Sequence, residues 1–145
     1  TIVLVTGVFD LLHQGHKQFL DKAKQAGDVL LVGVEPDERV RVLKGEGRPI
    51  ESIKIRLHHI RDGSATDYVF ALPPNFDQLQ VREMLIAQIK PTILAISAHS
   101  PFQKEKIALL EKYGGTVKIV IGKIPNLSTT QLISRRKRHL PLDSK

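Results

Sequence analysis

Short apolar runs alternate with segments of helical periodicity along almost the whole chain, and this alternation limits the folds that the sequence can adopt. The predicted strands are residues 2–5, 28–34, 67–72, 92–97 and 116–122. The predicted helices are residues 14–26, 52–61, 79–89, 102–113 and 128–137. Alternation of this kind is typical of βαβ units, in which helices cover both faces of a parallel sheet. We therefore expect an α/β fold with a single doubly wound, five-stranded parallel sheet of the Rossmann-like type.

Composition limits the chain to few classes of protein. A length of 145 residues with 41% apolar residues suits one domain, residues 1–145, with a basic C-terminal tail from about residue 135. The absence of cysteine excludes disulfides and thiolate metal sites, and it is consistent with a cytoplasmic protein. The apolar opening run is too short to cross a bilayer and no basic segment precedes it, so we expect neither a membrane span nor a signal peptide.

The formal net charge of +7 indicates an anionic partner. A nucleotide, a phosphorylated metabolite, a nucleic acid or an acidic membrane would each fit this charge. Part of it lies in the run Arg-Arg-Lys-Arg at residues 135–138, which we interpret as a solvated helix end near the negative pole of the helix dipole. No aromatic residue interleaves with this run, which argues against a nucleic acid.

The turn from the first strand to the first helix carries two histidines, His13 and His16. Ligands of such sheets bind beyond the carboxyl ends of the strands, where the strand order reverses. Gly7 would allow close approach of a ligand, and a helix start presents N–H groups that suit a phosphate. The two histidines, with Gly15 between them, would lie on one side of a helical turn. We interpret them as donors to phosphoryl oxygens, as phosphoryl or nucleotidyl transfer requires.

Two other interpretations of this pair stay open. The histidines could be helix caps or surface residues, or they could ligate a metal. His-x-x-His lacks the glutamate and the spacing of a zinc-protease helix, and no third ligand accompanies it. His58, His59 and His139 have no comparable setting and are interpreted as surface residues.

Three further segments are candidates for the same site. Residues 43–52 contain two glycines and a proline, which predict a loop, and this loop carries Lys44 and Arg48. The other two candidates, residues 97–101 and 122–130, follow the fourth and fifth strands.

A triplet of hydroxyl side chains begins the last predicted helix, close to Lys123. Such a triplet can supply an N-cap, and with the free N–H groups of the helix start it can also cradle a triphosphate. The triplet consists of Ser128, Thr129 and Thr130.

Two motifs together resemble the HxGH nucleotidyltransferase superfamily, which is also called cytidylyltransferase-like. They are GVFDLLHQGH at residues 7–16 and LSTTQLI at residues 127–133. The resemblance extends over nearly the whole chain. It is closer to the adenylyltransferase domain of the bifunctional heptose-phosphate enzyme, which has stretches similar to residues 43–50 and 112–120, than to glycerol-3-phosphate cytidylyltransferase. Archaeal-type FAD synthetases are a third similar group.

This resemblance implies transfer of AMP or CMP from ATP or CTP to a small phosphorylated acceptor, a sugar phosphate or a phospho-alcohol. Pyrophosphate would leave, no covalent enzyme intermediate would form, and Mg²⁺ would enter with the triphosphate rather than on protein side chains. Family members are often homodimers, so the resemblance also implies a homodimer.

The resemblance also implies roles for individual residues. His13 and His16 would bind the triphosphate and stabilise the α-phosphorus, Lys44 would reach phosphates, and Arg56 matches a family arginine; these four are the predicted catalytic residues. Asp10 would orient its loop, and the hydroxyl triplet would hold the β- and γ-phosphates. The predicted nucleotide-binding residues are Thr6, Gly7, Val8, Phe9, Asp10, Gly15, Ser97, His99, Lys123, Ser128, Thr129 and Thr130.

The chain also departs from the family pattern. After the fourth strand it lacks the family aspartate, and His99 stands near that place. Lys123 replaces an arginine of the glycerol-phosphate enzymes, and Pro125-Asn126 replaces a glutamate-glycine pair. The base and the acceptor therefore stay open. The alternatives are a nucleotide-binding or regulatory module that has lost transfer activity, and a nucleic-acid binder acting through residues 135–138.

Overall fold

The computed structural model describes residues 1–122, which form a five-stranded parallel sheet with the order β3-β2-β1-β4-β5. The strands are β1 (Ile2–Gly7), β2 (Val29–Val34), β3 (Tyr68–Ala71), β4 (Ile93–Ser97) and β5 (Thr116–Ile121). The helices are α1 (Gln14–Gln25), α2 (Asp37–Lys44), α3 (Ile53–Gly63), α4 (Leu79–Ile89) and α5 (Gln103–Lys112). The predicted fold class and all five predicted strands are confirmed, while the helix predicted over 128–137 lies outside the described residues.

The central strand β1 is buried on both faces, as its continuous apolar sequence predicts. Val3 and Val5 belong to a core formed with α1 and α3, whereas Leu4 belongs to a second core formed with α4 and α5. Successive side chains of a strand point to opposite faces, so one apolar run supplies both cores. The helices therefore lie on both faces of the sheet, as a doubly wound fold requires.

Helix α2 was not among the predicted helices. It begins after Pro36, carries Asp37 and Glu38 in its first turn, buries Val40, and is followed by Gly45, which has a φ of 98°. Acidic residues at the start and glycine after the end are favourable at these positions. The predicted loop over 43–52 therefore starts later than expected, and Lys44 is the last residue of a helix rather than a loop residue.

The strand order reverses at β1, which pairs with β2 on one side and with β4 on the other. The connections after β1 and β4 consequently run to opposite faces and leave a crevice beyond the carboxyl ends of these two strands. No helix in residues 1–122 is long and apolar enough to cross a bilayer.

Candidate active site

A cleft of about 390 Å³ lies at the carboxyl ends of β1 and β4, and we call it the β1/β4 cleft. Eight of its lining residues were predicted from the sequence: Thr6, Gly7, Val8, Phe9, His16, Lys44, Ser97 and His99. The others are Phe19, Leu94, Ala95, Ile96, Ser100, Pro101 and Lys106. Residues that are far apart in the chain therefore meet where the strand order predicts a ligand site.

His13 and His16 form a capping box at the start of α1. His13 is the N-cap, and its Nδ1 accepts a hydrogen bond from the Gly15 N–H at 3.0 Å. His16, the third helical residue, accepts a hydrogen bond on its own Nδ1 from the His13 N–H at 3.3 Å. The two imidazoles thus satisfy N–H groups that a helix start would otherwise leave unpaired. The capping interpretation of the pair describes real contacts, but these contacts use only one nitrogen of each ring.

The capping contacts fix the tautomer of both rings. A neutral imidazole whose Nδ1 accepts a hydrogen bond carries its proton on Nε2, so each ring retains one N–H donor for a ligand. Burial, followed by the nearby His13, lowers the pKa of His16 from 6.5 to about 3; Asp10 opposes this shift, and Lys44 adds the smallest lowering effect. Burial also lowers the pKa of His13. Both imidazoles are therefore neutral near pH 7.

Ring contacts hold these histidines in place. The rings of His13 and His16 stack with centroids 3.9 Å apart, and Phe9 meets His16 edge to face at 5.4 Å. Phe9 adopts a φ of 51°, a backbone conformation that is uncommon for residues other than glycine. A Cβ atom at Gly7 would lie 2.8 Å from Cε2 of Phe9. The space that a Cβ atom would need at position 7 is therefore occupied by the Phe9 ring, while Gly7 itself lines the cleft.

Asp10 fastens the segment after α2 to the turn after β1. Its side chain is fully buried and accepts hydrogen bonds from the N–H groups of Ile50 at 2.7 Å and Glu51 at 3.0 Å, and it forms an ion pair with Arg48 at 3.3 Å. Oε1 of Glu51 in turn accepts a hydrogen bond from the Leu11 N–H at 3.1 Å. These reciprocal contacts hold the two segments together.

Arg56 is fully buried on α3 and does not line the cleft. Its guanidinium donates to the carbonyls of Val8 and Glu35, both at 2.8 Å, and to the carbonyl of Glu51 at 3.0 Å. It also forms an ion pair with Asp37 at 2.7 Å. These contacts join the turn after β1, the end of β2, the start of α2 and the start of α3. Arg56 therefore positions the segments that form the walls of the cleft.

The remaining predicted residues fall into two groups. Asp10, His13, Gly15 and Arg56 support the cleft without lining it, and His13 contacts it only through the stacked ring of His16. The others lie outside the described residues and stay predictions: Lys123, Ser128, Thr129 and Thr130.

Sequence reasoning missed Lys106, a half-buried residue of α5 whose Nζ donates to Ser100 Oγ at 2.8 Å. An isolated lysine in an amphipathic helix carries no sequence pattern that would mark it as part of a cleft wall.

His58 and His59 lie on α3, away from the cleft, and His58 is exposed, as predicted. His59 is half-buried, with Nδ1 3.4 Å from Oε2 of Glu51. Residues 1–122 contain no group of three or more His, Asp or Glu side chains that could hold a metal ion.

Comparison with known proteins identifies the family. The sequence profile described as Cytidylyltransferase-like matches residues 4–138. The chain belongs to the cytidylyltransferase-like family of nucleotidyltransferases. The family resemblance predicted from the two motifs is thus confirmed.

Curated relatives in this family include the bifunctional protein HldE of Pseudomonas entomophila, which is 36% identical over 140 residues. That match covers 96% of this chain and 28% of the relative. The HldE protein of Pseudomonas fluorescens is 38% identical over 136 residues, which cover 93% of this chain and 27% of that protein. This cytidylyltransferase-like chain therefore spans less than a third of the length of these relatives.

Solved structures support the same family and fold. A lipopolysaccharide core biosynthesis protein from Thermoplasma volcanium superposes with a TM-score of 0.66 at 30% identity, covering 86% of this chain and 98% of that one. A pantothenate synthetase from Thermus thermophilus superposes with a TM-score of 0.58 at 14% identity, which shows a shared fold alone.

Proposed function

We propose that this chain transfers AMP or CMP from ATP or CTP to a small phosphorylated acceptor and releases pyrophosphate. The observation that carries the proposal is the pair of neutral, stacked imidazoles at the start of α1, beside a cleft at the switch point of the sheet. Lys44 adds positive charge to the wall of the same cleft. Membership of the cytidylyltransferase-like family supports the class of reaction.

The reaction requires positioning and charge stabilisation more than proton transfer. An oxygen of the acceptor phosphate attacks the α-phosphorus and forms a new P–O bond. The bond from the α-phosphorus to the bridging oxygen breaks, and pyrophosphate leaves with the electron pair. Because the nucleophile is already an anion, no general base is needed. The Nε2–H of His16 would donate to an oxygen on the α-phosphorus, where charge develops, and Lys44 would offset the charge of the phosphates.

As the family resemblance implies, Mg²⁺ would accompany the triphosphate. Bound Mg²⁺ would neutralise phosphate charge, and the roles of His16 and Lys44 do not depend on it. The hydroxyl triplet at residues 128–130 supports the proposal from sequence alone. The family resemblance further supports a cytoplasmic homodimer, which light scattering of the purified chain would test for its oligomeric state.

A second candidate function is nucleotide binding without transfer. The segment after β4 favours it, because the family aspartate is missing there and the exposed His99 lines the cleft in its place. The histidine pair and Lys44 argue against it, since they are the groups that transfer would use.

One experiment separates the two functions. The folded chain is incubated with Mg²⁺ and either ATP or CTP, together with a panel of sugar phosphates and phospho-alcohols, and pyrophosphate release is measured. Release that depends on the acceptor supports transfer. Calorimetric binding of a nucleotide without release across the panel would favour the binding module, and the absence of both would refute the proposed function.

A further inference from the structure

A second cavity of about 270 Å³ adjoins the β1/β4 cleft on the face of the sheet that α4 and α5 cover. We call it the α4/α5 cavity. It shares part of its wall with the cleft, namely Thr6, Gly7, Val8, Leu94, Ser100, Pro101 and Lys106. A molecule in this cavity would therefore lie directly beside one in the cleft.

Most of the α4/α5 cavity is apolar. Its floor includes Leu4, Leu94 and Leu110, which are all at least 94% buried, since their exposed fractions are 0%, 6% and 1%. Phe76 and Phe102 also line it, and Phe102 is 59% exposed, although it lies beside the cavity. Hydroxyl groups of a sugar that face these apolar side chains would meet no hydrogen-bond partner on them, and burying them unpaired is unfavourable.

Two cations in this cavity form no ion pair within residues 1–122, although Arg82 is close enough to Glu35 to interact with its carboxylate. The Arg82 guanidinium lies 5.7 Å from the ring centroid of Phe76 and 5.8 Å from that of Phe102, and its Nε donates to the Phe76 carbonyl at 2.9 Å. Lys106 donates to Ser100, and within residues 1–122 neither cation forms an ion pair. Burial and the nearby Arg82 both lower the pKa of Lys106, which is the expected response to uncompensated positive charge.

Two further polar groups of the cavity have free hydrogen-bonding capacity. Oε1 of Glu35 and Nε of Arg39 are buried, and neither has a hydrogen-bond partner among the described residues. Arg39 lies 3.9 Å from Asp77, a long ion pair. The cavity thus holds three cationic side chains and one carboxylate, an excess of positive charge that an anionic ligand would balance.

We propose that the α4/α5 cavity binds the acceptor, and that the acceptor is a phosphate monoester with an apolar body rather than a polyhydroxylated sugar. This inference rests on the proposed function. Lys106, which lines both cavities, would hold the acceptor phosphate at the shared wall, where its oxygen faces the nucleotide in the β1/β4 cleft. The apolar body would occupy the aliphatic floor beside Phe76, with Arg82 adding positive charge.

The test measures binding separately from turnover. Phenyl phosphate and glycerol 1-phosphate are titrated calorimetrically into the whole chain, in the presence of saturating α,β-methylene ATP or α,β-methylene CTP. We expect phenyl phosphate to bind at least about tenfold more tightly, because its ring can be buried against the apolar walls. Arg82→Met and Lys106→Met should each weaken its binding at least about tenfold. Lys104→Met, which removes an exposed lysine of the same helix outside both cavities, should not.

Each outcome decides the inference. Equal or tighter binding of glycerol 1-phosphate, no binding of either ester, or unchanged affinity in Arg82→Met and Lys106→Met would overturn it. Thermal melting identifies a variant that fails to fold, and the other variant then carries the test. If phenyl phosphate binds as expected but no nucleotide is transferred to any phosphate ester, the inference about this cavity stands and the proposed function fails. If Lys106→Met transfers the nucleotide to sugar phosphates as well as the wild type does, the proposed function stands and the inference about this cavity fails.

Discussion

The backbone N–H of His13 donates to Nδ1 of His16, and the rings of the same two residues stack with centroids 3.9 Å apart. Nδ1 of His16 therefore accepts a hydrogen bond at the start of the helix, and Nε2 remains available for a ligand. This division would allow the same motif to cap the helix and, in the proposed function, to donate to a phosphate. It also suggests substitutions that separate the two roles.

His16→Asn should keep the cap and lose the transfer activity. The asparagine oxygen can accept the His13 N–H near the position of Nδ1, but nothing replaces the Nε2–H. We expect kcat to fall by about 10²–10³, as for the loss of one donor to a developing oxyanion. The melting temperature should fall less than in His16→Ala. Pyrophosphate release and thermal melting provide the two measurements.

His58→Asn is the matched control for this prediction, because His58 is exposed and lies outside the cleft. It should leave both measurements unchanged. Full activity in His16→Asn would contradict the role assigned to the Nε2–H.

His16 should also make the folded state sensitive to acid. Its pKa is about 3 in the folded chain and 6.5 for an unperturbed histidine, so between these values the unfolded chain binds more protons. The free energy of unfolding should therefore decrease as the pH falls below 6.5, with up to about one proton taken up on unfolding at this residue. Urea denaturation of the wild type and of His16→Asn between pH 7 and about pH 5 isolates this contribution, because carboxylates stay largely ionised there. Parallel pH profiles of the two proteins would show that His16 is not buried in its neutral form.

Arg56→Met tests whether this arginine positions the site or contacts the nucleotide. It leaves three carbonyls and Asp37 without their donor, so the free energy of unfolding should fall by about 3 kcal/mol. Arg61→Met, at an exposed position of the same helix, should cost far less. Denaturant titration measures both. A stable Arg56→Met protein with strongly reduced kcat would instead favour the direct catalytic role that the family resemblance implies.

Asp10→Asn should loosen the segment that follows α2. An amide presents one acceptor oxygen where the carboxylate offers two, and it removes the ion pair with Arg48. Hydrogen exchange of the N–H groups of Ile50 and Glu51 should accelerate, and the KM for the nucleotide should rise because Lys44 adjoins this segment. Asp21→Asn, an exposed position on α1, serves as the control. Unchanged exchange at both amides would refute the fastening role of Asp10.

Gly7→Ala should disturb the histidine pair through Phe9. The added methyl would lie 2.8 Å from the ring edge, so the ring must move and its contact with His16 must change. We expect a reduced kcat/KM. In Gly63→Ala the added methyl would meet Leu12 at an ordinary 3.5 Å, and activity should persist. A fully active Gly7→Ala enzyme would mean that the Phe9 contact does not set the position of His16.

The strands and the segments around the candidate cleft could be predicted from the sequence because both depend on local patterns. Continuous apolar runs mark buried parallel strands, and ligands of such sheets bind beyond the carboxyl ends of the strands, whereas the strand order that selects β1 and β4 is seen only in the structure. The helix α2 was missed although Asp37, Glu38 and Gly45 are typical of helix ends. Its eight residues bury only Val40, so no apolar periodicity revealed it.

The roles of buried charges could not be predicted in this way. Arg56 matches a family arginine, yet its contacts are with carbonyls of three separate segments, and only the folded chain brings these together. Lys106 and Arg82 lie on helices with other polar residues, and nothing in their sequence positions distinguishes a cavity wall from solvent. Contacts that depend on long-range packing leave no local pattern.

The end of β1 belongs to two walls at once, since Thr6, Gly7 and Val8 line both the β1/β4 cleft and the α4/α5 cavity. Mutations there alter both sides together, whereas mutations at Phe76 or Arg82 alter one side only. Under the proposed assignment of the two cavities, diversification among relatives that change the acceptor and keep the nucleotide is expected to concentrate on α4 and the segment before it, while the terminal residues of the central strand evolve slowly.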